Sequence, residues 1–443
     1  MSFSARVQHW KAFLAPKLHR VVEFLISQGI ALAGNLLFGL LCVRLLPIPE
    51  YAKYVVVYGV LGTLSLLIDV GFSQSLLPLI GSRIDDSRLI ADYVASLRQL
   101  AHWLYFAIAP AAIVVYPFLV RRQHWSAPTV AGMIAILLVS AWFSRISGAY
   151  GAVLIVRRDR KPWYRAQIIS SLGALTLLGV AWEVHILNGF CAMLINVAGV
   201  VYVAATYFFR ARHLLGVHGV ASADKRRAIV HFTAPNLPNA IFYALQGQVS
   251  LLLITIFGHT TAVASVGALT RLGQIFTLFT LMAPLLIEPY FARLPRERLK
   301  RNYLGLFAVE ALGCGAITAL AYFFPGMFLW ILGHKYSGLH YEVFLMMAAS
   351  SIGYLYSILW VVHNACRFVY WWNSVSIITL TLVIQALFIW RGNLSTIRGV
   401  LTMNLCTMSA ILAVMIVTGI FGFTFGPRRI VETAANTTEA PCA

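Results

Sequence analysis

The sequence predicts an all-α fold: a polytopic membrane protein of about twelve transmembrane helices, in two pseudo-symmetric six-helix bundles around a central cavity. Three observations carry this expectation. Of the 443 residues, 60% are hydrophobic and 11% are charged, against about 25% charged in a soluble domain. Apolar stretches recur along the whole chain, separated by short loops. Lys and Arg gather on alternate loops.

The apolar stretches fall at about 21–46, 51–80, 99–120, 128–156, 164–183, 187–209, 230–258, 262–290, 302–324, 341–365, 369–390 and 397–420. Each reaches the roughly 20 residues that a helix needs to cross about 30 Å of hydrocarbon. The fifth and sixth are separated only by Glu183, Val184 and His185. They are either two spans or one bent helix, and the even count rests on there being two.

The net charge of +19 points to nucleic acid in a soluble protein, but in a membrane protein it is distributed by side. With twelve spans, 25 of the 34 Lys and Arg residues share a side with the N-terminus and seven lie opposite. Arg145 and Arg271 remain inside spans. Cytoplasmic loops are enriched in Lys and Arg, so both termini are expected in the cytoplasm of a bacterial inner membrane protein. Residues 1–20 carry four basic residues among Phe3, Val7, Trp10, Phe13 and Leu14. They form either an interfacial helix on an anionic leaflet or a basic flank to the first span, and not a cleaved signal.

The longest basic loop, 210–229, ends in Asp224-Lys225-Arg226-Arg227. It divides the chain into an N-terminal bundle (21–209) and a C-terminal bundle (230–420), with a cytoplasmic tail at 421–443. Two such halves related by an axis along the membrane normal form a transporter plan.

Residues 39–81 read GLLCVRLLPIPEYAKYVVVYGVLGTLSLLIDVGFSQSLLPLIG. Leu46, Pro47, Glu50, Tyr51 and Tyr54 form a turn pattern, and Asp69 with Gly71 closes the second span. This stretch resembles the opening of bacterial polysaccharide-export flippases of the multidrug, oligosaccharidyl-lipid and polysaccharide exporter superfamily. A weaker echo lies at 231–276, with Pro235 and Pro238 at its entry and a turn near Gly258. It departs from the family where an acidic residue often sits, because this chain has Gln246 to Gln248. The resemblance implies a V-shaped twelve-helix fold. It also implies flipping of undecaprenyl-pyrophosphate-linked oligosaccharide between leaflets, for O-antigen, capsule or exopolysaccharide, alongside a polymerase and chain-length proteins.

Charges inside the membrane mark candidate sites, because Arg or Asp at a span centre costs about 2.5–3.5 kcal/mol on insertion scales. Arg145 and Arg271, one in each half, could face one cavity and bind an anionic headgroup, since guanidinium forks suit phosphate oxygens. Equally, each could be neutralised within its own bundle, with Asp69 the expected partner of Arg145. Gln28 with Asn35, and Asn239 with Gln246, are each seven residues apart on one helix face. They could line a path for sugar hydroxyls or hold helices together. Asp69, Glu23, Glu288, Glu310 and His363 are candidates for ion coupling or for structural charge. Pro110, Pro284 and Pro289 can bend long spans. Tyr370, Trp371 and Trp372 beside Arg367 read as an interfacial belt.

The six cysteines show no disulfide or metal spacing, and no cofactor is expected. No P-loop, H-E-x-x-H or G-x-S-x-G pattern occurs. The rival readings are a cation-coupled multidrug or small-molecule exporter of the same fold, and a membrane glycosyltransferase or polysaccharide polymerase. The enzymes generally carry a sizeable outer loop, and the largest here, about 325–340, has no Asp or Glu. A drug exporter for cations should hold a conspicuous acidic site. A lipid II flippase usually has fourteen spans, and a structural scaffold would not explain buried arginines.

Overall fold

A computed structural model describes residues 26–81, 83–280, 282–368 and 370–425. The 1–20 segment, Glu23 and most of the 421–443 tail lie outside the described residues. Within them all regular structure is helical, as the period and length of the apolar stretches require.

The first half runs α1 (Ile26–Leu45), α2 (Ile48–Asp69), α3 (Phe72–Ile80), α4 (Ser87–Leu119), α5 (Ala127–Val156), α6 (Arg160–Glu183) and α7 (Gly189–Leu215). A short helix, α8 (Ala223–Thr233), follows the linker. The second half runs α9 (Leu237–Gln246), α10 (Val249–Phe257), α11 (Thr260–Gly273), α12 (Ile275–Thr280), α13 (Ala283–Arg293), α14 (Arg296–Phe323), α15 (Pro325–Leu332), α16 (His340–Cys366), α17 (Trp371–Trp390) and α18 (Ile397–Phe425). Eleven helices among the described residues are long and apolar enough to cross a membrane, twelve if the pair α8–α9 and α10 is one broken span.

Local chemistry sets the ends. Asp86 accepts from the Leu89 amide at 2.9 Å to start α4, and Asn188 accepts from Cys191 at 2.8 Å to start α7. Each such cap contributes about 1 kcal/mol. The Asn188 cap settles the fifth and sixth spans as two helices, α6 and α7. The second span breaks after Asp69, where Val70 (φ 37°) and Gly71 (φ 87°) turn left-handed before α3. Gly71 adopts that conformation without the steric cost a side chain would add. The seventh span bends by 49° at Gly247-Gln248, between α9 and α10.

The halves repeat each other in packing. In the first, α5 lies along α7 and α4 along α5. In the second, α16 lies along α18 and α14 along α16. The matching spans α2 and α11 meet across the boundary. They come close because Gly267 lacks a side chain; a Cβ there would sit 2.5 Å from a Val55 methyl. Small residues at helix contacts let apolar helices approach closely in lipid.

Hydrogen bonds joining the first half to α9–α18 concentrate at the end opposite the basic loops. Arg44 donates to Ile331 O at 3.0 Å and to Trp330 O. Lys335 donates to Arg44 O and Leu46 O at 2.8 and 2.7 Å. Gln123 is tied to Thr255 O, Gly258 O and Thr260 Oγ1 at 2.9–3.2 Å. Lys335 lies in the turn between α15 and α16, and burial pushes its ammonium below the usual lysine pKa. Two carbonyls compensate part of that lost hydration.

Candidate functional site

Arg271 sits in the last turn of α11 and is 3% exposed. Its guanidinium reaches Gln274 Oε1 at 3.2 Å and Tyr54 OH at 3.5 Å. It lies 4.4 Å from the centroid of the Tyr58 ring and 5.8 Å from that of Tyr54. No carboxylate stands within 4 Å of it among the described residues. Space for the side chain comes from α1, where a Cβ on Gly39 would fall 2.9 Å from Arg271 Nε.

The rings come from α2. Tyr51, Tyr54 and Tyr58 follow helical spacing, so they share one face, and consecutive centroids are 6.0 and 5.8 Å apart. Aromatic faces attract a cation by about 0.5–2 kcal/mol each when water is excluded. Two of these rings, Tyr54 and Tyr58, and the Gln274 amide therefore offset part of the cost of burying the charge, without neutralising it.

Arg271 lines a cavity of about 190 Å³ between the halves, with Tyr58, Gln246, Gln248, Gln274 and Asn404 among its walls. The first half contributes α2, and the second contributes α9 to α11, α16 and α18. The lining contains amides, aromatic and aliphatic groups and one permanent cation, and no acid.

Arg145 lies elsewhere, and this corrects the expectation that both arginines face one cavity. It projects from α5 towards α4, where it bonds His102 and lies 3.9 Å from the Trp142 ring centroid. The expected pair with Asp69 does not form. Asp69 accepts from the Ser73 amide at 3.2 Å and from Ser73 Oγ at 2.5 Å, so it is spent on capping α3.

The remaining candidates scatter. Gln246 lines the cavity and also accepts from Gln385 at 2.7 Å. Asn239 donates to Ser374 at 3.4 Å within the second half. Asn35 is exposed, and Gln28 Nε2 is buried without a partner among the described residues. Glu288 is half-buried. Glu310 accepts from Tyr354 OH at 2.9 Å. His363 is 1% exposed and bonds Tyr303 OH at 3.0 Å. Sequence reasoning missed the tyrosine stripe, Gln248, Gln274 and Asn404. The stripe was readable from the spacing in YAKYVVVY; the others become wall residues only through tertiary packing.

No family model matches the sequence, and no curated protein does. Solved structures do match in fold. A multidrug resistance MATE family transporter of the MOP superfamily, solved in an inward-facing conformation, aligns with a TM-score of 0.62 and 14% identity over 87% of this chain and 93% of that one. A Vibrio cholerae MATE transporter gives a TM-score of 0.56 and 13% identity over 91% and 96%. A MOP superfamily transporter from Pyrococcus furiosus gives 0.53 and 14% over 92% and 93%; it is described as having a binding pocket of reverse polarity that suggests a different function.

These likenesses correct the resemblance to polysaccharide-export flippases. They also remove the lipid-linked oligosaccharide, the O-antigen, capsule or exopolysaccharide pathway, and its polymerase and chain-length proteins as partners. The physical reason lies in the 39–81 motif, whose residues build the scaffold. Glu50 accepts from Lys53 and from the Gly189 amide, Asp69 caps α3, and Gly71 turns the chain. None of these contacts selects a substrate. The two-arginine clamp expected for a pyrophosphate does not assemble either, because Arg145 lies outside the cavity. The chain is a multi-pass, all-helical membrane protein with the fold seen in solved MATE-type transporters.

Proposed function

We propose that this chain is an alternating-access exporter of small organic molecules, driven by a cation gradient, with its substrate bound at the Arg271 cavity. The single observation that carries the proposal is a buried arginine without a carboxylate partner, at a cavity shared by the two halves. A site between two pseudo-symmetric bundles is where rocking motion can change its access. The substrate class follows from the lining: an amphipathic molecule with a negative group for Arg271, polar atoms for Gln246, Gln248 and Asn404, and an aromatic or apolar body against Tyr58. The reverse-polarity pocket reported for one protein of this fold gives a precedent for a departure of this kind.

The basic end is the cytoplasmic side, on the 25 to 7 distribution of Lys and Arg, in a bacterial inner membrane. Rupture of the ties from Arg44, Gln123 and Lys335 would then open the cavity outward. Glu310 is assigned the coupling proton. Its carboxylate faces a neutral hydroxyl, Tyr354, about 12 Å along α16 from cavity residue Met346, at 1.5 Å per residue. Asp69, Arg145, Asn239 and His363 serve the scaffold, through their contacts with Ser73, His102, Ser374 and Tyr303.

The test is transport by the purified full chain in proteoliposomes under an imposed proton gradient. An anionic fluorescein-type dye is expected to move, and a cationic ethidium-type dye to move at least about tenfold more slowly, the scale of one charge-assisted contact. Faster movement of the cationic dye would overturn the assignment.

A further inference from the structure

A second cavity, of about 230 Å³, opens at the basic end of the first half. It is walled by α4, α5, α7 and the linker, with Arg98, Tyr150, Phe208, Arg212, Val217 and His218 among its residues. It is smaller than the roughly 300–1,000 Å³ of pockets that hold whole drug-sized ligands. No acidic residue lines it.

The absence of acid is local. Elsewhere at this end Lys225 pairs with Asp92, Arg210 with Asp159 at 2.7 Å, and Arg157 lies 4.0 Å from Asp85. Arg98 has only Tyr150 OH, at 2.6 Å, and Arg212 only His218 Nε2, at 3.3 Å, as hydrogen-bond partners among the described residues. Both side chains are exposed and line the cavity.

The wall is fixed. The linker crosses α4 so closely that a Cβ on Gly219 would fall 1.9 Å from Ala91 O. Val220 N donates to Asp92 at 2.8 Å and Ser222 N to Ser96 at 3.2 Å. Tyr150 and Phe208 meet edge to face at 5.1 Å.

Depth identifies the ligand. Helix α4 has 33 residues, about 50 Å at 1.5 Å each, while the hydrocarbon spans about 30 Å. Its far end shows Val114 and Phe118 at 73% and 69% exposure, as lipid-facing residues do. The excess length therefore lies at the basic end. Arg98, eleven residues in, reaches about 17 Å along the helix, the level where headgroups meet acyl chains. Val217 at the cavity and Val220 beside it are exposed apolar groups at the same rim. Basic pockets between spans on this side suit anionic headgroups.

We propose that Arg98 and Arg212 bind the phosphodiester of an anionic phospholipid, with its acyl chains against Val217 and Val220. This site is separate from the Arg271 cavity and does not depend on what that cavity carries.

The experiment is thermal unfolding of the detergent-solubilised full chain, followed by tryptophan fluorescence, during titration with dioleoylphosphatidylglycerol, dioleoylphosphatidylcholine or inorganic phosphate. Wild type is expected to be stabilised by phosphatidylglycerol at roughly tenfold lower concentration than by phosphatidylcholine, with no response to millimolar phosphate. The double variant R98Q/R212Q should lose that preference. So should Ala95→Phe, which fills the cavity and keeps both charges. Arg160→Gln, at the same end but outside the cavity, should keep it. An unchanged preference in Ala95→Phe would show bulk charge attraction and overturn the site. A matching response to phosphate alone would overturn the lipid. Should both variants fail to fold, the wild type still decides, because equal response to the two lipids overturns the proposal.

Discussion

Arg271 and Arg145 are the two arginines that the span pattern leaves inside the membrane, and they are accommodated in opposite ways. Arg145 is absorbed by its own bundle. It bonds His102 and sits over the Trp142 ring, with Tyr105 and Phe106 completing an aromatic cluster. Arg271 is placed at the boundary between bundles, with rings on one side and a cavity on the other. Equal intrinsic cost therefore does not mean equal role. What separates a structural charge from a binding charge is whether its free donors end against protein or against space that a ligand can fill.

The largest expected effect separates these two residues. Arg271→Met should lower transport of the anionic dye by about ten- to 100-fold, the equivalent of roughly 1.5–3 kcal/mol for a lost hydrogen bond to a charged group. Arg145→Met should stay within about twofold, because it removes a cation–π contact of the bundle interior. Equal losses in the two variants would collapse the distinction. Next in size is the boundary itself. Gly267→Leu should destabilise the protein by about 1–3 kcal/mol through overpacking, read as a lower melting temperature, and Val55→Ala in the same chain should restore part of it. A melting temperature unchanged by Gly267→Leu would mean that α2 and α11 do not meet so closely in the membrane. The smallest effect is expected at Asp69. In Asp69→Asn the side-chain oxygen still accepts from Ser73, so proton-driven transport should remain within about twofold and stability should fall by at most about 1 kcal/mol. Loss of gradient dependence in that variant would move ion coupling from Glu310 to Asp69.

The 39–81 motif shows how a sequence can point to the right fold and the wrong cargo. Asp69 and Gly71 are recognisable because they act locally, across four residues or at one turn, and Glu50 combines a local tie to Lys53 with one to the distant Gly189 amide. A motif of that kind reports on backbone geometry, which transporters with different substrates share. The cavity walls come from α2, α9, α10, α11, α16 and α18, positions up to about 350 residues apart in the chain, and no local pattern encodes their meeting. The same distinction explains Gln28 with Asn35 and Asn239 with Gln246. Identical spacing placed each pair on one helix face, but only Gln246 reaches the cavity.

The sequence by itself determined that the chain is helical, that it lies in the membrane, and that it forms two bundles of spans. Those properties follow from repeated apolar runs long enough to cross hydrocarbon. It also isolated Arg271 as a charge in need of a reason. Only the tertiary structure decided that Arg145 stays within its own bundle against His102 and Trp142, that Asp69 bonds Ser73 instead of pairing with it, and that Tyr54 and Tyr58 lie against Arg271. The cost of a buried charge is set by its residue type, which sequence states. What meets that cost depends on which distant helices pack against it, which sequence does not.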